Sequence, residues 1–297
     1  MPTVGFILRG SQRARALTEC EFRGFQFKKL PKEERTVERG GIKSAFRKLR
    51  AESVYDVIEG LEEIEQKVKG LRGKDLNEAI LALCSLFYID LFDRPDLEPA
   101  VERAFKILVA LGEKAIPLIL YQLKEADLNV QLRLSRALGQ IGKPAIKPLL
   151  KFYSGSFDPH MRTFALYAMG KIREPEMAKI IPKVTEAMDD SNSDVRDTAT
   201  RMLGKLVEHL DSGGIPQRVR KKMFSSLIRN LSDRHAGVRA KAVRSIGKMA
   251  KFGFIGSGEK STAKKAMGRI LGLDEAFDWD RAYVVRAEAE EAMKYLG

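Results

Sequence analysis

A ten-residue pattern recurs in register along this chain, and no other feature constrains its fold so tightly. It is first clear from Val130 to Gly139 (VQLRLSRALG) and returns from Met161 to Gly170, Val195 to Gly204, Val238 to Gly247 and Val285 to Lys294. With the first residue counted as zero, apolar or small residues hold positions zero, four, seven and eight in nearly every copy. At about 3.6 residues per turn these fall on one stripe of a helix. Position one is Arg in every copy but the first, and position nine is Gly in every copy but the last. A weaker copy ends earlier, at Ala110-Leu111-Gly112.

The template glycines Gly112, Gly139, Gly170, Gly204 and Gly247 follow one another at steps of 27 to 43 residues. A unit of that length holds one helix pair, which buries its apolar face only by stacking on its neighbours. Between the copies lie further apolar segments carrying Pro117, Pro148 and Pro182. Proline is tolerated in a first helical turn and disrupts later ones, so these segments are expected to begin the first helix of each pair. The polar turns that follow carry Asp127, Asp158, Asp194 and Asp233, where a carboxylate can cap free N–H groups.

The Pro-bearing first helix, the turn Asp and the opening Val-Arg of the second helix together resemble the HEAT-repeat family, including its PBS-lyase-type members, over roughly Ala100 to Gly297. The resemblance implies an all-α, right-handed α-solenoid of stacked antiparallel helix pairs, the second helices lining its concave side. It also implies a ladder of Arg and Asp between neighbouring repeats, which would make Arg162, Arg196, Arg239 and Arg286 structural. HEAT-like DNA glycosylases use Trp and an acid on a basic surface, and Asp278-Trp279-Asp280-Arg281 is the one such mixture here. More simply, Asp280 caps a helix and Trp279 packs. The bilin lyases form another HEAT-like branch, with no site residues to carry over.

Residues 1–50 read differently, as an extended arm in which Arg and Lys alternate with Phe6, Phe22, Phe25 and Phe27, with one short strand from Val4 to Leu8. Such an arm orders on a partner or clamps onto its own solenoid. The solenoid is expected over residues 51–297, with N-terminal helices over 51–112 and HEAT-like repeats over 113–297. Cys20 and Cys84 stand alone and only three histidines are present, so neither a disulfide framework nor a metal site is expected. The expectation is a cytoplasmic chain without cofactor or membrane span.

Charge narrows the function. The formal net charge is +13, and between Arg201 and Arg269 there are 17 Lys and Arg against 4 Asp and Glu. Positions three, six and ten of the template project together beside the apolar stripe. They hold Arg133, Arg136, Phe164, Tyr167, Lys171, Arg201, Lys205, Lys241, Arg244 and Lys248, a basic strip with aromatics set in it, until Glu288 and Glu291 break it. Cations beside exposed rings suit nucleic acid or a ribonucleoprotein, by phosphate neutralisation and base stacking. An adaptor for an acidic protein uses the same charges, and long basic side chains can also merely solvate a helix. No Ser/His/Asp or Cys/His set is recognisable, so the chain reads as a non-enzymatic binding scaffold. The stretch Phe252 to Thr262 resembles a phosphate loop only superficially, since Glu259 separates Gly258 from Lys260, and it reads as a flexible loop that could hold an anion near Ser261.

Overall fold

The computed structural model describes residues 41–274, 276 and 278–297. Most of the expected arm, including the strand expected from Val4 to Leu8, therefore lies outside the described residues. The described chain runs through α1 (Gly41–Lys48), α2 (Val54–Lys67), α3 (Gly73–Ser85), α4 (Glu98–Leu111), α5 (Ile116–Glu125), α6 (Leu128–Ile141) and α7 (Lys143–Gly155). It continues through α8 (Pro159–Met169), α9 (Ile181–Ala187), α10 (Ser193–Val207), α11 (Gln217–Asn230), α12 (Ala236–Lys251), α13 (Ser257–Ile270) and α14 (Tyr283–Met293). No strand is present among the described residues.

Odd- and even-numbered helices form two layers. The even helices carry the template from α6 onward, and each packs along the next: α6 on α8, α8 on α10, α10 on α12 and α12 on α14. The odd helices touch one another more sparsely, so the even layer is the inner, concave one. Close approach in that layer is what position nine requires. A Cβ on Gly139 would lie 2.4 Å from Lys171 Cβ, one on Gly204 2.4 Å from Ser245 Oγ, and one on Gly247 3.0 Å from Ala292 Cβ. Position four is equally constrained, Leu134, Ala165, Ala199, Ala242 and Ala289 being fully buried.

Helix boundaries follow local chemistry. Asp127 Oδ1 accepts from the Val130 N–H at 2.9 Å and starts α6, while Gly142, at φ 77°, turns the chain from α6 into α7. Pro117 and Pro182 sit in first turns as expected, but Pro148 lies inside α7, which starts earlier with Pro144 in its first turn. Asn192, not Asp194, caps α10. Gly253 to Thr262 is a turn into α13, not a flexible loop: the Gly256 N–H donates to Glu259 Oε2 at 2.9 Å. Ser261 lies within that helix, so the anion-binding N–H groups expected there belong to a helical turn.

An Arg–Asp ladder runs along the turns that join odd to even helices. Arg162 Nε and Nη2 donate to Asp190 at 3.0 and 2.9 Å, while its Nη1 reaches back to the Phe157 carbonyl at 2.8 Å. Arg196 repeats this with Asp233 at 2.6 and 3.0 Å and the Asp190 carbonyl at 2.9 Å. Arg239 does so with Asp280 at 2.6 and 2.9 Å and the Asp233 carbonyl at 2.8 Å. Each guanidinium therefore fastens its own turn with one nitrogen and the next repeat with a bidentate pair. The side chains of Arg196 and Asp233 are only 12% and 8% exposed. At the first template copy Gln131 stands in the Arg position, and its Oε1 accepts a single bond from His160 Nε2 at 3.2 Å.

Candidate binding strip on the inner helices

The expected strip divides into two electrostatically different halves. Toward the C-terminus its cations meet carboxylates of the same chain. Lys205 and Lys248 both reach Glu208, at 3.0 and 2.7 Å, Lys241 reaches Asp197 at 3.0 Å, and Arg244 pairs with Glu288. Burial tends to raise the Glu208 pKa, but the two ammonium groups outweigh it and hold the carboxyl below its ordinary value. Asp197 and Glu208 lie off positions three, six and ten, which is why the strip read as free of acids.

Toward the N-terminus the cations keep their charge. The Arg136 guanidinium lies 4.7 Å from the centre of the Phe105 ring, with Glu102 Oε1 at 4.0 Å as its one carboxylate partner among the described residues. Lys171 Nζ lies 5.0 Å above the Tyr167 ring and forms no ion pair among the described residues, and Arg201 is exposed and also unpaired. Two residues of the expected strip belong elsewhere. Phe164 is a core residue, 4% exposed and edge-on to His160 at 4.8 Å, so it offers no stacking face. Arg133 is spent on structure, donating to the Phe87 carbonyl at 2.8 Å.

A cleft of about 410 Å³ opens between the C-terminal ends of α6 and α8. Arg136, Gly139, Gln140, Gly142, Lys171, Arg173 and Glu174 line it. Arg173 is the residue that template reasoning missed, because it falls at position twelve, beyond the positions three, six and ten that define the strip. Its Nη1 is 3.3 Å from His209 Nδ1. Burial and the Arg173 charge lower the His209 pKa, so the imidazole is a neutral acceptor at pH 7.

Chemistry at other candidate positions is occupied. Asp280 is committed to Arg239 and to the Ala282 N–H at 2.9 Å, and the exposed Trp279 stacks 4.3 Å from Arg286. The two residues that could have resembled a glycosylase pair thus serve the ladder and its terminal Arg. Cys84 is buried, which pushes its thiol pKa up to about 12, unsuited to nucleophilic work. No group of His, Cys, Asp or Glu fit to hold a metal occurs among the described residues, and no helix among them is long and apolar enough to cross a membrane.

Paired helices stacked in two layers and tied by inter-repeat Arg–Asp rungs define an α-solenoid repeat protein. A family profile described as HEAT repeats matches residues 116–204, so this part of the chain carries HEAT repeats. Phycocyanobilin lyase subunit beta of Thermosynechococcus vestitus is 30% identical over 142 residues, 46% of this chain and 66% of that relative's length. In fold the chain is similar to the archaeal HEAT-like repeats protein of Thermococcus onnurineus NA1 (TM-score 0.52, 14% identity, covering 89% of this chain and 98% of that one). It is also similar to importin beta (TM-score 0.57, 14% identity, covering 86% of this chain and 36% of that one).

Proposed function

We propose that this protein is an adaptor subunit that holds an acidic protein partner on its inner helices. The observation that carries this reading is the charge pattern of the strip. Half of its cations are paired with Asp197, Glu208 and Glu288, and Phe164 is in the core. Duplex DNA presents one charge about every 1.7 Å, and single strands bind through repeated cations with exposed rings, so a self-neutralised strip suits a continuous polyanion poorly. A few unpaired cations around one cleft suit a protein surface with local acidic groups. The likeness to a protein named as a lyase subunit supports membership of a multiprotein assembly.

Affinity purification of the whole chain, with and without nuclease, followed by light scattering on the isolated complex, tests this. A protein partner retained through nuclease at fixed stoichiometry is expected; a complex that disperses with nuclease returns the chain to nucleic-acid binding. The alignment to phycocyanobilin lyase subunit beta also favours a second reading, in which the chain is a subunit of a lyase for that pigment. Turnover with phycocyanobilin and an acceptor protein, dependent on this chain, separates that reading from simple scaffolding.

A further inference from the structure

Of three cations around the α6–α8 cleft, Lys171 and Arg173 are held in place by groups that do not neutralise them, and Arg136 faces the Glu102 carboxylate only at 4.0 Å. Arg136 rests on the face of Phe105, Lys171 on the face of Tyr167, and Arg173 against the His209 imidazole. An aromatic face attracts a cation through its quadrupole and leaves the N–H donors pointing elsewhere, so each group is positioned and still able to bond an anion. The contrast lies within the same chain: Lys205, Lys241, Arg244 and Lys248 are positioned by carboxylates that offset most of their charge. The cleft itself carries three cations against one carboxylate, Glu174, whose Oε1 lies on the Gly142 side, 3.2 Å from where a Cβ there would stand. The nearby Glu176 is taken by Lys143.

From this geometry we infer that the cleft between α6 and α8 is the anchor for carboxylate side chains of an extended acidic segment in the partner, with Arg136, Lys171 and Arg173 as the residues that grip it. The inference rests on the adaptor reading and locates its contact. Packed helices lie about 8–10 Å apart, and an extended chain advances about 3.3 Å per residue. A segment crossing the inner layer from Arg136 past Lys171 to Arg201 therefore meets a cation at about every third residue. The carboxylate-paired half of the strip contributes no comparable attraction.

The test uses the full chain and a fluorescently labelled peptide of repeating Glu-Ser-Ser, read by anisotropy, with a peptide of the same composition whose Glu residues are consecutive as comparison. Tighter binding of the spaced peptide is expected. The double variant K171E/R173E should weaken it by about tenfold or more, while K241Q/K248Q should leave it within about twofold. Circular dichroism of each variant checks that the helices persist, and R136Q, which removes charge without reversing it, gives a milder reading should the double variant misfold. Equal loss from both double variants, or no preference for the spaced peptide, overturns the assignment. So does an unstructured RNA of equal charge that binds the cleft more tightly than the peptide, because the occupant is then nucleic acid. If a native protein partner stays bound to K171E/R173E, the cleft assignment falls while the adaptor reading stands; the adaptor reading falls only if no protein partner is retained.

Discussion

Single residues fix how closely the inner helices approach. Gly204 faces Ser245 so tightly that a Cβ would lie 2.4 Å from its hydroxyl, whereas Gly258, in the first turn of α13, has nothing within 4 Å. Alanine is favoured over glycine by up to about 1 kcal/mol in a helix, so Gly258→Ala should leave the melting temperature unchanged or raise it slightly. Gly204→Ala should lower it despite the same propensity gain, since the clash outweighs it. Asp233 makes a second case. Burial raises its pKa, but bonds from Arg196 and the His235 N–H lower it further than burial raises it, so the folded value lies below the ordinary one. A depressed folded pKa contributes stability above about pH 4, lost as pH falls through the folded value. Asp233→Asn should therefore cost about 2–3 kcal/mol at pH 7, and denaturant titrations should find that difference shrinking below pH 4.

At the scale of the helix, the register read from the sequence has direct consequences. Ala199 and Ala242 are both fully buried at position four, between inner helices that already touch. Leucine at either should overpack the contact and lower stability by about 1–3 kcal/mol, measured by thermal or denaturant melts, and unchanged melting for both would contradict the packing. The pairing of helices, the inner layer and the buried stripe were legible because burial imposes a period that composition displays. Caps and starts were less so. Asp194 and Asn192 are both competent caps, and only the path of the turn selects Asn192. The first turn of α7 is held by Pro144, while Pro148 lies inside the helix, a distinction that proline position alone does not show. The site is legible in part: Arg136, Tyr167 and Lys171 follow from the template, whereas Arg173 lies two residues beyond its last position and off the repeated strip. Phe164 was misplaced because position three rotates toward the core where His160 packs against it.

For the whole molecule, net charge was a poor guide to where charge is available. The basic excess from Arg201 to Arg269 is the strongest in the described chain, yet four strip cations at or near it are tied to Asp197, Glu208 and Glu288. Pairing between neighbouring repeats is invisible to a linear count. The N-terminal end makes a related point. Helix α1 falls within the residues expected as an arm, but Ala45 is fully buried and the helix packs on α2. A chain beginning at Gly41 should melt like the full protein if the preceding residues add no packing, whereas one beginning at Ala51 uncovers α2 and should melt lower. Circular dichroism of the two truncations checks this.

The Arg–Asp ladder begins with Arg162; at the joint before it Gln131 and His160 share one neutral bond in place of a bidentate ion pair. That joint lies between α6 and α8, the same two helices whose far ends frame the cleft. A joint without a rung resists bending less than the rung-tied joints that follow it, so bending at the cleft is expected to cost less than bending between α8 and α14. Amide hydrogen exchange in the Asp127 and Asp158 turns should accordingly outpace that in the Asp190 and Asp233 turns. A partner gripping the cleft would then also set the curvature of the whole rod, much as a splint sets the angle of a joint.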